Sequence, residues 1–405
     1  MRNILTNIIN PLSPFATQYL PNQVICIEAS KITSITPQTQ FKGLAPEDYT
    51  QFVALPGFID LHVHLSQYRM RGLYEPALLP WLNQHVFPEE ARSQQDSYAI
   101  ALSEQFFQAT LAVGTTMSVI YTAPYASACS IAFEVAERMG IRAMIGMTMM
   151  DMNAPIGLVQ GSKDSVESSV ALFEKWHAKT DKLDYIFTPR FAPTCSVELM
   201  QQIGSYAVKH KAWIQTHLSE NTSELAWVKE IFGQNSYTEV YHKAGLLSPK
   251  SIFGHAIHLT DKELNLLSET HSKIAHCPDS NFYLKSGEFP LERIEAAGID
   301  YALGSDVGAG TVLNMLHHAK MMNFRQSQYP VLPAKALYHI TLGSARLLGM
   351  EDKLGSLEAG KEADIVFMQA PDGFELGEQT LSQLIFFGSE FSVKETLVAG
   401  KSLYV

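Results

Sequence analysis

Cysteine is scarce in this chain, with four in 405 residues. Cys26, Cys129, Cys195 and Cys277 lie far apart with no CxxC pair, which excludes a disulfide framework and fits a reducing cytosol. No apolar run approaches the ~18 residues that a membrane span needs. The opening segment, Met1 to Asn7, has one basic residue and an apolar stretch broken by Asn and Thr, unlike a signal peptide. Positive charge is also short. Thirty Lys+Arg face 41 Asp+Glu, a net charge of −11, which disfavours a nucleic-acid backbone or an anionic membrane as partner. No repeat period or low-complexity tract occurs, and 46% apolar residues exclude a disordered chain. The expectation is a soluble, cytoplasmic globular protein, long enough for two or three domains unless one is a large barrel.

Both ends read as β-rich. Val24–Ile27 and Lys31–Ile35 near the start, and Asp364–Phe367, Val393–Val398 and Lys401–Val405 near the end, are short and β-branched. Together, residues 1–55 and 350–405 are expected to form one small β-sandwich domain. Residues 56–349 alternate strands with amphipathic helices. The strands expected are Phe58–Leu65, Thr115–Tyr121, Arg142–Thr148, Asp184–Arg190, Trp213–His217, Ser251–His255, Ser272–His276 and Ile299–Asp306. Helices are expected over Asp96–Ala112, Ser196–Lys209, Thr222–Phe232 and Asn314–Arg325, among others. This α/β pattern predicts a (β/α)8 TIM barrel, with an open doubly wound sheet as the rival that strand counting does not exclude.

In such a barrel, reactive side chains collect at the C-terminal ends of the strands. Six of the eight expected strands end in a metal-ligating or charged residue: His62 with His64, Arg190, His217, His255, His276 and Asp306. Asp60, His62 and His64 alternate with apolar residues, so all three face one way. Two imidazoles so placed can hold one metal ion, with Asp60 orienting a histidine from below, although HxH alone is a weak signal. His217 reads as a third ligand or as a satisfied core histidine. Glu220 reads as a proton carrier beside a bound substrate or as an ordinary first-turn glutamate. Asp306 can ligate the metal and take a proton from water, or cap a helix. Three neutral imidazoles and one carboxylate leave a zinc ion net positive with an open position, which draws the pKa of bound water from about 16 toward 7. His255 fits a proton carrier next to that water. The fourth strand ends in Arg190, not in the lysine or carboxylate of two-metal barrel hydrolases, so one metal is expected. Zinc and iron both suit these donors. Two signatures are missing, the HxE with PCxxC of cytidine-deaminase-type zinc enzymes and the GxxxxGK[ST] phosphate loop.

Pro56-Gly57-Phe58-Ile59-Asp60-x-His62-x-His64, His217-x-x-Glu220, His255 and Gly304-Ser305-Asp306 resemble the amidohydrolase superfamily. The likeness covers essentially the whole chain, to the closing Leu354-Gly355-Ser356-Leu357-Glu358-Ala359-Gly360. Within that superfamily several segments are similar to the guanine deaminases: Trp81-Leu82, Phe87-Pro88-x-Glu90, Thr188-Pro189-Arg190-Phe191, His217-Leu218-Ser219-Glu220-Asn221 and Ala275-His276-Cys277-Pro278. The resemblance implies one zinc on His62, His64, His217 and Asp306. It implies that Glu220, His255 and Asp306 are catalytic, with Glu220 shuttling a proton and His255 holding the attacking water. Gln67, Arg190 and Phe191 would contact the purine, beside His217 and Glu220. The implied reaction is hydrolysis of guanine to xanthine and ammonia, in a homodimer. Ser66 departs from the pattern, because guanine deaminases usually carry proline before that glutamine. Two other readings stay open. One is a related mononuclear aminohydrolase acting on 8-oxoguanine, an adenosine-type nucleoside or a triazine. The other is a metal-free scaffold, against which the presence of all four ligands argues. The segment Tyr68–Glu90 reads as a cover over the site, or as a surface loop or subunit contact.

Overall fold

The computed structural model describes residues 1–233 and 236–405. Four strands open the chain: β1 (Arg2–Ser13), β2 (Ala16–Glu28), β3 (Lys31–Pro37) and β4 (Glu47–Pro56). Eight follow in the middle. They are β5 (Phe58–His64), β6 (Thr115–Thr122), β7 (Arg142–Met149), β8 (Leu183–Pro189), β9 (Trp213–Leu218), β10 (Ser251–His255), β11 (Lys273–His276) and β12 (Tyr301–Leu303). Three close the chain: β13 (Ile365–Gln369), β14 (Ser392–Val398) and β15 (Lys401–Tyr404).

The terminal strands form one seven-stranded sheet in the order β15-β14-β13-β4-β1-β2-β3. The two ends of the chain therefore meet where β13 pairs antiparallel with β4. Ile4, Ile8, Ile25, Phe52, Ile365 and Phe367 supply its apolar core.

The eight middle strands run in the order β12-β11-β10-β9-β8-β7-β6-β5, and each neighbouring pair is parallel. Every residue of β5, β6 and β7 is buried, as a parallel sheet covered on both faces requires. The first and last strands are then joined. Asp306 N–H donates to the His62 carbonyl at 2.8 Å, and His64 N–H donates to the Val307 carbonyl at 2.7 Å. That closure makes the sheet a (β/α)8 barrel and removes the open-sheet alternative.

The helices Asp96–Ala112 and Thr222–Phe232 lie where the apolar spacing places them. Ser196 and Asn314 stand one residue outside their helices as N-caps, accepting from Leu199 N–H and Leu316 N–H. The last barrel strand is shorter than the apolar pattern suggests, because Gly304, Ser305 and Asp306 turn away to bond β11 and β5 instead.

Barrel and terminal sheet are locked by a buried ion pair. Arg142, at the start of β7, donates from Nε to Asp364 Oδ2 at 3.0 Å and from Nη2 to Oδ1 at 3.2 Å. Asp364 also accepts from Ala399 N–H at 2.8 Å. Replacing only one partner strands a charge without water. Arg142→Met is expected to cost about 3–5 kcal/mol in urea unfolding, and adding Asp364→Leu is expected to restore most of it.

Candidate active site

The C-terminal rim of the barrel gathers the histidines. His62 and His64 leave β5 on the same face, His217 lies near the end of β9, His255 ends β10, and Asp306 follows β12. Two of these positions use uncommon backbone: His255 has φ +69° and Asp306 has φ +49°. Left-handed geometry costs a non-glycine residue about 1–2 kcal/mol, so the fold holds these side chains against a local preference.

Among the described residues, His62, His64, His217 and Asp306 bring one donor atom each within 4.8 Å of one another. Asp306 Oδ1 lies 3.2 Å from His62 Nε2 and 3.2 Å from His64 Nε2. His217 Nε2 lies 3.2 Å from His64 Nε2. His217 Nδ1 donates to the Arg190 carbonyl at 2.7 Å, which places its proton there and leaves Nε2 as a bare lone pair facing the others. Burial pushes His64 down to about 4, and burial with three neighbouring imidazoles holds His217 well below its ordinary range. Burial works to raise Asp306, but its contacts with His62 and His64 outweigh this and hold it ionised. Neutral imidazoles around an ionised carboxylate are the forms that ligate a divalent cation. His62 Nε2 is moreover buried without a hydrogen-bond partner. The donor set fits one metal ion.

Asp60 acts differently from the expectation that it orients a histidine ring. Its Oδ1 accepts from the main-chain N–H of His62 at 3.2 Å and of Ser305 at 2.9 Å, so it pins the two strands that carry the donors. A second close group, His255, Cys277 and Asp306, shares Asp306 with the first. Burial and the nearby Asp306 carboxylate push the Cys277 thiol far up, so it stays protonated and is a poor ligand.

His255 and Glu220 stand next to the donors. His255 Nδ1 lies 2.9 Å from Asn281 Oδ1, and its Nε2 faces Glu220 Oε2 at 3.5 Å and Asp306 Oδ2 at 3.8 Å. Glu220 Oε1 accepts from Ser286 Oγ at 3.0 Å. Burial, with the Asp306 charge behind it, pushes Glu220 up to about 8. Its main chain is held from the next helix, where Glu224 Oε2 accepts from Glu220 N–H at 2.9 Å and Asn221 N–H at 3.2 Å.

Gln67, Arg190 and Phe191 complete a cleft that also includes His64, His217, Glu220, His255 and Asp306. All three are buried. The segment Tyr68–Glu90 is a succession of short helical turns, and Leu78, Trp81 and Leu82 from it wall the same cleft. These residues pack with Met150, Phe191, Leu284 and Ala309 from the segments that follow four different strands. His276, although it ends a strand, lies elsewhere, stacked on Phe289 at 4.1 Å.

Several participants escaped the sequence analysis. Asn281 lies in the short helix Pro278–Tyr283 after β11 and Ser286 just beyond it, and the Tyr121 ring lies 4.7 Å from His62 and 4.5 Å from His64. Tyr121 ends an expected strand, the one positional cue it carried. Glu90 belongs to a recognised motif, yet no local pattern shows that it meets Gln67 and Arg190, 23 and 100 positions away.

A barrel whose strand ends bring imidazoles and a carboxylate around one point, with a walled cleft beside it, defines the class of metal-dependent barrel hydrolases. The Amidohydrolase family matches residues 53–403. The guanine deaminase of Escherichia coli (strain K12) is 35% identical over 403 residues, covering 96% of this chain and 90% of that protein. The solved E. coli guanine deaminase superposes with a TM-score of 0.95 at 33% identity, covering 100% of this chain and 99% of that one. Guanine deaminase from C. acetobutylicum, solved with guanine bound in its active site, gives a TM-score of 0.92 at 29% identity over 100% of both chains. The chain belongs to the amidohydrolase family, within its guanine deaminase group.

Proposed function

We propose that this protein is a guanine deaminase, converting guanine and water to xanthine and ammonia. The observation that carries the reading is the shared wall: three of the four metal donors, His64, His217 and Asp306, line one cleft together with Glu220, His255, Gln67 and Arg190. His62, His64, His217 and Asp306 would hold one ion, for which we propose zinc. Bound there, it would act as a Lewis acid that makes hydroxide available near neutral pH.

The side chains divide the remaining work. Asp306, whose Oδ2 faces His255 Nε2, takes a proton from the attacking water, and His255 holds that water in place. His255 keeps its orientation through Asn281. Water adds at C2 of the purine, Glu220 protonates N3, and a proton then passes to the exocyclic amine. The C2–N bond breaks with its electron pair leaving as ammonia, and C2 keeps the oxygen as the carbonyl of xanthine. Gln67 and Arg190 hold the ring by its polar edge, and Phe191 closes a face of the cleft.

All these groups come from one chain, so the homodimer and cytoplasmic setting we assign add nothing to the chemistry. In the same reading residues 56–349 carry the reaction, while 1–55 with 350–405 serve as a supporting domain. Metal analysis combined with a xanthine assay tests the proposal. About one metal ion per chain and stoichiometric xanthine and ammonia from guanine are expected. Metal-loaded protein that leaves guanine untouched and releases ammonia from another heterocycle would replace guanine as the substrate.

A further inference from the structure

Gln67 and Arg190 are joined beneath the cleft by a side chain with no role in the reaction above. Glu90 is completely buried. Its Oε2 accepts from Arg190 Nη1 at 2.7 Å, and its Oε1 accepts from Gln67 Nε2 at 3.0 Å and from Ser66 Oγ at 3.4 Å. We infer that Glu90 is a positioning residue that sets which of the two readers donates and which accepts, and so selects a neutral 6-oxopurine edge over a 6-aminopurine edge.

A carboxylate only accepts hydrogen bonds. Gln67 must therefore turn its NH₂ toward Glu90, and its carbonyl Oε1 is left as the acceptor. Among the described residues that oxygen meets only Gly308 N–H, at a long 3.4 Å, so a lone pair remains for a ligand. Gly308 leaves room for this arrangement, since a Cβ there would stand 3.0 Å from Gln67 Cβ. Without Glu90 the amide could flip, exchanging donor for acceptor at no intrinsic cost. Arg190, in contrast, offers only donors in any orientation, and the Glu90 charge cancels its own. The pair presents an acceptor beside a donor with no net charge. A 6-oxopurine offers the complement, N1–H beside the O6 carbonyl, whereas a 6-aminopurine offers the reverse. Ser66, standing where guanine deaminases usually have proline, adds a third donor to the same carboxylate in this chain.

The inference rests on the guanine reading for the identity of the ring, and the test separates the two. 2,6-Diaminopurine matches guanine in shape and keeps the 2-amino group, but reverses the polarity at positions 1 and 6. Dissociation constants for both bases are measured by calorimetry on metal-loaded protein in a Glu220→Gln background, where turnover is slow, and ammonia release is followed separately with Glu220 intact. The native protein is expected to prefer guanine by ~10³-fold or more, as sites built around substrate hydrogen bonds do. Glu90→Gln, which can accept at only one of its two terminal atoms, is expected to bring that preference below ~30-fold while keeping metal content, with a lower thermal midpoint because the buried Arg190 charge loses its partner. Should that variant fail to fold, Glu90→Asp keeps the charge but is too short to meet both readers, and an intermediate preference is expected. An unchanged preference in a folded Glu90 variant would overturn the inference, as would a native protein indifferent to the two bases. A native protein that binds guanine selectively without releasing ammonia would overturn the proposed reaction and leave the role of Glu90 standing.

Discussion

Glu220→Gln is expected to lower kcat on guanine by roughly 10²–10⁴, the usual worth of a positioned acid–base group, with KM changed much less. The amide is isosteric. It can still accept from Ser286 Oγ and still stand beside His255 Nε2, so the side chain keeps its place in the cleft. What it loses is the ability to give up and recover a proton. Because Glu220 lies outside the metal donor set, metal content is expected to match the native protein. Stopped-flow or steady-state assay of xanthine, with metal analysis on the same sample, checks both halves. Native kcat with metal retained would remove Glu220 from the mechanism.

Loss of a donor should act in the opposite way. His217→Ala is expected to drop metal content well below one ion per chain and to reduce activity by ~10³-fold or more, since an ion held there would supply several kcal/mol to the reaction. His217 is also the donor whose tautomer is set by the Arg190 carbonyl. Chelation of the native protein should reproduce the loss and lower the thermal midpoint, because an ion that binds only the folded chain stabilises it by mass action. Added zinc should restore the chelated native protein but not the variant. Full activity in metal-stripped protein would exclude metal from the reaction.

The outcome of reading this chain depends on how far each contact reaches. The alternation Asp60-Leu61-His62-Val63-His64 is a period-two pattern, and it holds because adjacent side chains on a strand face opposite ways whatever surrounds them. The helix from Asp96 to Ala112 follows from apolar spacing in the same local manner. The ends of β9 and β10 were also legible to within a residue, which is why His217 and His255 stood out. The short β12 was not. Its last three expected residues bond to β5 and β11, and a strand's length depends on its neighbours as much as on its own propensity. Asp60 shows the same limit: its position on the inner face was clear, but its partner, the backbone of Ser305, lies 245 positions away.

By itself the sequence determined the alternation of strands and helices, the residue types at the strand ends, and through its motifs the family likeness. Each of these depends on spacing within a few residues. Only the tertiary structure decided that the barrel closes and that Glu90 meets Gln67 and Arg190. The physical reason is that hydrogen-bond polarity in a buried cleft belongs to sets of partners. Folding assembles those sets from distant segments, where an unpaired buried group is costly and every donor must find its acceptor.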